Sequence, residues 1–275
     1  MLLTELERFI EEDIGYNDVS CNIIPDCKVR AEVVAKEEGI IAGLFEATQV
    51  FEYFEIFAST DLTDGSPIKP DDIIFKLDGG ARSILRAERL ALNFLGRMSG
   101  ITTLTRRYVE RAEGIRIACT RKTTPGFRKF EKKAVIAGGG DSHRFNLSDA
   151  VLIKDNHIAV LGLEKAVRAA KGAASFTQKI EVEVEDVDSA VRAAELGVDI
   201  IMFDNMAAGE IRKSIKMLGE KGLRDRVILE ASGGITLENI HDYAKSGIDV
   251  ISIGALTHSS SWLDISLRIK EPEKK

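Results

Sequence analysis

The rhythm of apolar and polar positions changes once along this chain. From residue 115 on, short apolar runs recur at 115–119, 150–153, 180–184, 200–203, 227–229 and 250–253. Between them, 163–170, 187–196, 208–218 and 237–246 carry apolar residues at helical spacing. Short strands alternating with such helices predict βα units and a parallel sheet. Six units are fewer than the eight of a full α/β barrel, so an incomplete barrel of six to seven strands is expected. A doubly wound open sheet is the alternative. The first hundred residues mix their periods. Alternation over 29–36 predicts a half-buried strand, and 39–43 reads as a tight turn around Ile40 and Ile41. A helix is expected over 44–54, and the Asp, Gly and Pro of 61–72 read as a loop. Leu85, Leu90, Leu92, Phe94 and Leu95 predict a long helix over 83–98, continuing past Gly100 towards Arg111. This half reads as an α+β domain.

Composition narrows the class. A chain of 275 residues, 44% hydrophobic, can bury a core without staples. Its 44 acidic residues against 38 basic ones give no support to a nucleic-acid-binding role. Three cysteines, Cys21, Cys27 and Cys119, make no disulfide framework and suit a reducing, cytoplasmic setting. No run reaches the roughly 18 apolar residues of a membrane span. Glu5, Glu7 and Arg8 mark 1–10 as an amphipathic helix rather than a signal peptide.

Chemistry gathers at the carboxyl ends of the predicted strands, where parallel βα folds place their active sites. Run 115–119 is followed by Arg121 and Lys122, and 150–153 by Lys154 and His157. Glu181, Glu183 and Glu185 share one face of run 180–184, while 200–203 ends in Asp204 and Asn205. Run 227–229 leads into Glu230, Ser232, Gly233 and Gly234, and 250–253 into Gly254, Thr257 and His258. Arg121, Lys122, His143, Arg144 and Lys154 make a cationic set suited to a substrate with several anionic groups. Lys129, Lys132 and Lys133 fall in an apparent helix and read as a solvated face. A glutamate of run 180–184 together with Asp204 offers carboxylates that can hold Mg²⁺ directly or through water. Spacing does not choose among the three glutamates. Ser232–Gly233–Gly234 before a helix near Leu237, paired with Gly254, reads as a phosphate nest at a helix N-terminus. Cys119 reads as buried and structural, His241 as exposed on a helix, and His157 as a cap for the turn after Lys154. No histidine or cysteine pair has zinc-ligand spacing.

Several long motifs, in order, carry a resemblance over nearly the whole chain. They are Glu11-Glu-Asp-Ile-Gly-Tyr-Asn-Asp18, Glu88-Arg-Leu-Ala-Leu-Asn-Phe-Leu95 with Ser99-Gly-Ile101, Thr120-Arg-Lys-Thr-Thr-Pro-Gly-Phe-Arg128, Gly138-Gly-Gly-Asp-Ser-His-Arg144, Val151-Leu-Ile-Lys-Asp-Asn-His-Ile158 and Ser252-Ile-Gly-Ala-Leu-Thr-His258. In these the chain resembles the quinolinate phosphoribosyltransferase family. The resemblance implies an N-terminal α/β sandwich domain over 1–107, joined by 262–275, and an incomplete α/β barrel over 108–261. It implies transfer of the phosphoribosyl group of phosphoribosyl pyrophosphate to quinolinate, with loss of CO₂, on the route to NAD.

By the same resemblance, Arg121, His143, Arg144 and Lys154 would form the quinolinate pocket. Arg89 would enter the pocket of the partner subunit in a homodimer. Glu183, now selected among the glutamates, and Asp204 would face the ribose and hold Mg²⁺, directly or through water. Lys122, Ser232, Gly233, Gly254 and His258 would hold the ribosyl donor. Lys122, Lys154, Glu183 and Asp204 would be the catalytic set. Three rivals stand beside this: a pyrophosphorylase-like relative linked to molybdenum transport, with another acceptor; an aldolase using Lys154 as a Schiff base; and a non-catalytic phosphate-ligand sensor.

Overall fold

The computed structural model describes residues 1–270; the last five residues of the expected 262–275 segment lie outside them. The chain divides into two compact units, and the division falls after Leu104 and again before Ser260.

The first unit opens with α1 (Leu3–Ile14), an amphipathic helix that buries Leu6 and Ile10. There follow β1 (Lys28–Ala35), β2 (Gly39–Ile40), α2 (Leu44–Tyr53), β3 (Phe57–Ser59), β4 (Pro67–Ile68), β5 (Ile73–Gly80) and the long α3 (Ala81–Arg111), whose residues up to Leu104 belong to this unit. A later strand, β12 (Ile265–Ile269), returns to pair with β1, so the antiparallel sheet runs β12-β1-β5-β3. Alternation along β1 buries Val29, Ala31 and Val33, and a register shift after Val33 brings Val34 into the core as well. Residues 39–40, expected in a turn, form β2, which pairs with β4 inside the expected 61–72 loop. Both strands are two residues long, too short for any periodicity to betray them.

The second unit supplies β6 (Arg116–Cys119), α4 (Arg128–Ala137), β7 (Val151–Ile153), α5 (Asp155–Leu161), α6 (Leu163–Ala173), β8 (Ile180–Val184), α7 (Val187–Glu195), β9 (Ile200–Asp204), α8 (Ala208–Glu220), β10 (Ile228–Ser232), α9 (Ile240–Ala244), β11 (Val250–Ile253) and α10 (Ala255–His258). The six strands are parallel in the order β6-β11-β10-β9-β8-β7. Asp141 adds a single parallel bridge to Ala118 on the outer side of β6, a rudimentary seventh strand. This is the incomplete α/β barrel expected from the run of βα units; the other unit combines helices with an antiparallel sheet.

Register separates the two faces of the parallel sheet. Ile117, Cys119, Ile153, Val182, Ile201, Phe203, Leu229 and Ile251 lie on one face and are all buried. This face packs against the helices, with α4 on β6, α6 on β7 and β8, and α7 on β8 and β9. The other face is polar. Glu183 is in register with Met202 and Met202 with Glu230, while Asp204, Ser232 and Ser252 form a row nearer the carboxyl ends. A hydrocarbon-filled interior would be the stable default for so small a barrel. Carboxylates and hydroxyls there mark the face that does chemistry. No helix among the described residues is long and apolar enough to cross a membrane.

Candidate active site

The cationic groups are held by backbone geometry around the edge of β6. Asp141 donates its N–H to the Ile117 carbonyl at 2.7 Å and accepts from the Cys119 N–H at 3.0 Å, which anchors the segment after the glycines. The Asp141 carboxylate then accepts the His143 N–H at 2.7 Å, and His143 adopts a left-handed φ of 50°. Arg144 follows and donates to the Ala150 carbonyl at 3.2 Å. Burial, and then the charge of Arg121, hold the Arg144 guanidinium below its usual pKa. Nε of Arg121 is buried without a hydrogen-bond partner. Two guanidiniums that repel each other, one with an orphaned donor, are arranged for an anion.

The solvated reading of Lys132 is corrected. It is 1% exposed, and its amino group donates to the Ser142 carbonyl, to the Thr120 carbonyl at 3.4 Å and to Cys119 Sγ at 3.4 Å. It ties the end of β6 to the segment carrying His143. Lys129 is exposed and Lys133 intermediate. Cys119 is buried, as expected, and burial pushes its thiol pKa up.

His143 faces two carboxylates from the barrel interior. Its Nε2 lies 3.1 Å from Glu230 Oε2 and 3.6 Å from Glu181 Oε2. Burial would push the imidazole pKa down, but the two glutamates outweigh it and raise it to about 10. Among the described residues these three form a group with metal-ligand chemistry. An imidazolium already engaged with both acids is a poor ligand, however. Glu230 is a residue whose role sequence spacing did not suggest, because its partners come from a loop and a neighbouring strand.

Further along the carboxyl ends, Lys154 is exposed and pairs with Glu183 Oε1 at 2.7 Å. His157 Nδ1 accepts the Lys154 N–H at 3.0 Å, the cap expected of it. Asp204 ends β9 and accepts from Asn205 Nδ2 at 3.0 Å. Asn205, with φ 54°, crosses to the next strand end, where its N–H bonds to the Ser232 carbonyl at 2.9 Å. A Cβ on Gly233 would meet Asn205 Oδ1 at 2.2 Å, so only glycine fits this loop. The helix expected near Leu237 begins at Ile240, after a turn in which Asn239 Oδ1 already takes the Thr236 N–H. Gly233 and Gly234, with φ of 90° and 62°, therefore form a loop nest and not a helix terminus. Lys122 reaches Gly254: its Cδ would lie 3.2 Å from a Cβ there, and His258 Nε2 3.1 Å. Buried Thr257 fixes this by donating to the Lys122 carbonyl at 2.8 Å. Arg89 lies in the first unit, exposed on α3, beside a groove lined by Asn93 and Trp262.

Mg²⁺ characteristically takes one or two carboxylates and completes its shell with water and substrate phosphates. Glu183 and Asp204 stand on adjacent strands, two register steps apart on the polar face, and offer hard oxygen donors. Their chemistry fits the ion, and Lys154 supplies a cation beside the first of them.

The comparisons with known proteins bear on this arrangement. The model of the quinolinate phosphoribosyl transferase N-terminal domain matches residues 16–99, and that of the C-terminal domain matches 101–268. A probable nicotinate-nucleotide pyrophosphorylase (carboxylating) of Methanothermobacter thermautotrophicus is 47% identical over 272 residues, covering 96% of this chain and 98% of the relative. The chain belongs to the quinolinate phosphoribosyltransferase family. The human nicotinate-nucleotide pyrophosphorylase (carboxylating) is 42% identical over 245 residues, 87% of this chain and 82% of the relative. In structure, NadC from Streptococcus pyogenes superposes with a TM-score of 0.91 at 40% identity, covering 97% of this chain and 95% of that one. The two family models together span residues 16–268 but for residue 100, and so take in both units of the fold.

Proposed function

We infer that the chain catalyses the carboxylating nicotinate-nucleotide pyrophosphorylase reaction. Quinolinate and phosphoribosyl pyrophosphate give nicotinate mononucleotide, pyrophosphate and CO₂, a step in NAD biosynthesis. The observation that carries this reading is the Arg121–Arg144 pair with its orphaned buried Nε, adjoining the protonated His143. That is a pocket for a rigid dicarboxylate. Arg121, His143, Arg144 and Lys154 bind the acceptor and hold its ring nitrogen towards the ribosyl C1. Ser232, Gly233, Gly254 and His258 take the 5′-phosphate, with Lys122 on the donor.

The C1–O bond to pyrophosphate breaks with oxocarbenium character as the ring nitrogen bonds to C1. The carboxylates of Glu183 and Asp204 stabilise the developing positive charge, and Lys122 and Lys154 meet the negative charge of the leaving group. Mg²⁺ held by Glu183 and Asp204, directly or through water, would neutralise pyrophosphate oxygens. Once N1 is a pyridinium, the bond to the adjacent carboxylate breaks and CO₂ leaves. The electron pair stays on the ring carbon, which then takes a proton. Preorganised charge carries the rate gain, with no covalent enzyme intermediate.

This reading includes a homodimer in which Arg89 completes the partner's pocket, residence in the cytoplasm, and functional domains bounded at 107 and 262. The ion pair and exposure of Lys154 are unlike the desolvated setting of a Schiff-base lysine. The test is an assay with phosphoribosyl pyrophosphate, Mg²⁺ and either quinolinate or nicotinate, following the mononucleotide by mass. Product from quinolinate alone, lost on chelation, is expected. No product from folded protein overturns the assignment in favour of the molybdenum-linked relative or a sensor.

A further inference from the structure

Two glutamates buried inside a barrel need a reason. Glu181 is 1% and Glu230 2% exposed, and both come from strand positions facing the polar interior. Burying an uncompensated carboxylate is costly, and removing its only cation leaves that cost unmet. Glu230 is the better placed of the two. Its Oε1 accepts the Ser252 hydroxyl from β11, and its Oε2 lies 3.1 Å from His143 Nε2. Both carboxylate oxygens are thereby committed. Glu181 stands farther off at 3.6 Å and keeps Oε1 buried without a partner. Glu230 is thus a rigid link from one strand, braced by the next, to an imidazole whose own backbone is held by Asp141 in a left-handed conformation.

We propose that Glu230, braced by Ser252, is a positioning residue that fixes the ring of His143 through Nε2 and leaves Nδ1 to donate to a carboxylate of the acceptor substrate. It acts through His143 and touches no substrate. Charge follows from the same geometry. The groups facing the imidazole are Glu230 from β10 and Glu181 from β8. On its own segment are Asp141, which takes the backbone N–H, and Arg144, with Arg121 beside Arg144 at the end of β6. β9, between the two acidic strands, presents Ile200 and Met202 at these levels, neither of them titratable. The glutamates keep both ring nitrogens protonated, so the ring can donate at both ends. Neutral histidine could satisfy only one of them as a donor.

The substrate side of this proposal rests on the functional reading above; the link between Glu230 and the imidazole does not. The experiment therefore has two arms on intact protein. In the first, ¹⁵N NMR follows the ring nitrogens of His143, assigned by loss of signal in His143→Asn. The wild type is expected to show two protonated nitrogens from pH 6 to 9. In Glu230→Gln the ring is expected to titrate within that range. In Ser252→Ala, which removes one bond and preserves the fold, the midpoint shifts the same way by a smaller amount. In the second arm, steady-state kinetics should give Glu230→Gln a quinolinate KM raised at least tenfold at pH 8 and less at pH 6. The KM for phosphoribosyl pyrophosphate should stay within threefold. Retention of the doubly protonated ring in both variants overturns the proposal, as does a larger ring shift in Glu181→Gln than in Glu230→Gln. An unchanged quinolinate KM, in a wild type that makes product, overturns its substrate side. A wild type that makes no product defeats the functional reading, and the NMR arm still decides the role of Glu230.

Discussion

Among the residues proposed for the acceptor pocket, Arg121 carries an unmet demand, because its buried Nε has no hydrogen-bond partner. Arg121→Ala should lower kcat/KM for quinolinate by about 2–4 kcal/mol of transition-state binding, or about 30- to 1,000-fold. Circular dichroism and Tm should stay near wild type, since no internal bond of that Nε is lost. Activity within threefold of wild type would remove Arg121 from the pocket. Lys132 makes the opposite case, a charge whose partners are all internal. Lys132→Met would leave the Ser142 and Thr120 carbonyls unsatisfied at the end of β6, at a cost of about 1–3 kcal/mol. Thermal unfolding should show this as a fall of about 2–4 °C per kcal/mol; an unchanged Tm would mean that water replaces the amine. The two residues also show what could be read in advance. Arg121, Lys154 and Asp204 are legible because each stands at the polar end of an apolar run, whereas Glu183 is singled out from Glu181 and Glu185 only by the family resemblance. Lys132 looked like surface because a lysine at helical spacing usually is. Two of its three acceptors are backbone carbonyls of loops, which no side-chain pattern encodes. Glu230 and Asn205 stand out in the sequence at strand ends, but their roles do not, because their partners lie across a strand register or a strand end.

At the scale of elements, α3 tests whether helix propensity or close approach decides a glycine. The helix runs 31 residues without a break through Gly96 and Gly100. A Cβ on Gly100 would lie 1.8 Å from the Ser261 carbonyl oxygen, a backbone atom that cannot turn aside. Alanine gains about 1 kcal/mol in helix propensity, but overpacking of this kind costs about 1–3 kcal/mol and more where backbone is struck. Gly100→Ala should therefore be destabilising by about 1–2 kcal/mol in urea unfolding. A stabilised variant would show that the segment from Ser260 on yields easily. Periodicity foresaw α3, β1, α2 and all six strands of the parallel sheet. Where it fell short, the cause is local. β10 extends to Ser232, past the apolar run at 227–229, because Glu230 and Ser232 face a polar interior. Such a strand reads as a loop to any rule that expects buried residues to be apolar. β12 depends on pairing with β1, more than two hundred residues earlier in the sequence, and its own burial fades from Ile265 to an exposed Ile269.

For the molecule as a whole, the buried His143 cluster should write itself into the pH dependence of stability. The folded protein holds the imidazole pKa at about 10, and an unfolded histidine titrates near 6.5. Between those values the folded state binds the extra proton. The contribution is therefore complete below about pH 6.5 and is lost as pH rises towards 10. Several exposed carboxylates act in the opposite direction. Side-chain or backbone hydrogen bonds hold Asp186, Glu164 and Glu195 below their usual pKa values, so their contribution is lost as pH falls through the acid range. These are surface groups, small in effect and screened by salt, whereas His143 and its glutamates are shielded from it. Urea midpoints measured from pH 3 to 10 should pass through a maximum near pH 5–6.5 and decline on both sides of it. One molar NaCl should flatten the acid limb and leave the alkaline limb in place. His143→Asn should lower the midpoint most at pH 6 and abolish much of the alkaline decline, because the proton responsible is gone. Parallel profiles for the variant and the wild type would mean that His143 is not held as an imidazolium. The charge of the proposed acceptor pocket would then rest on Arg121, Arg144 and Lys154.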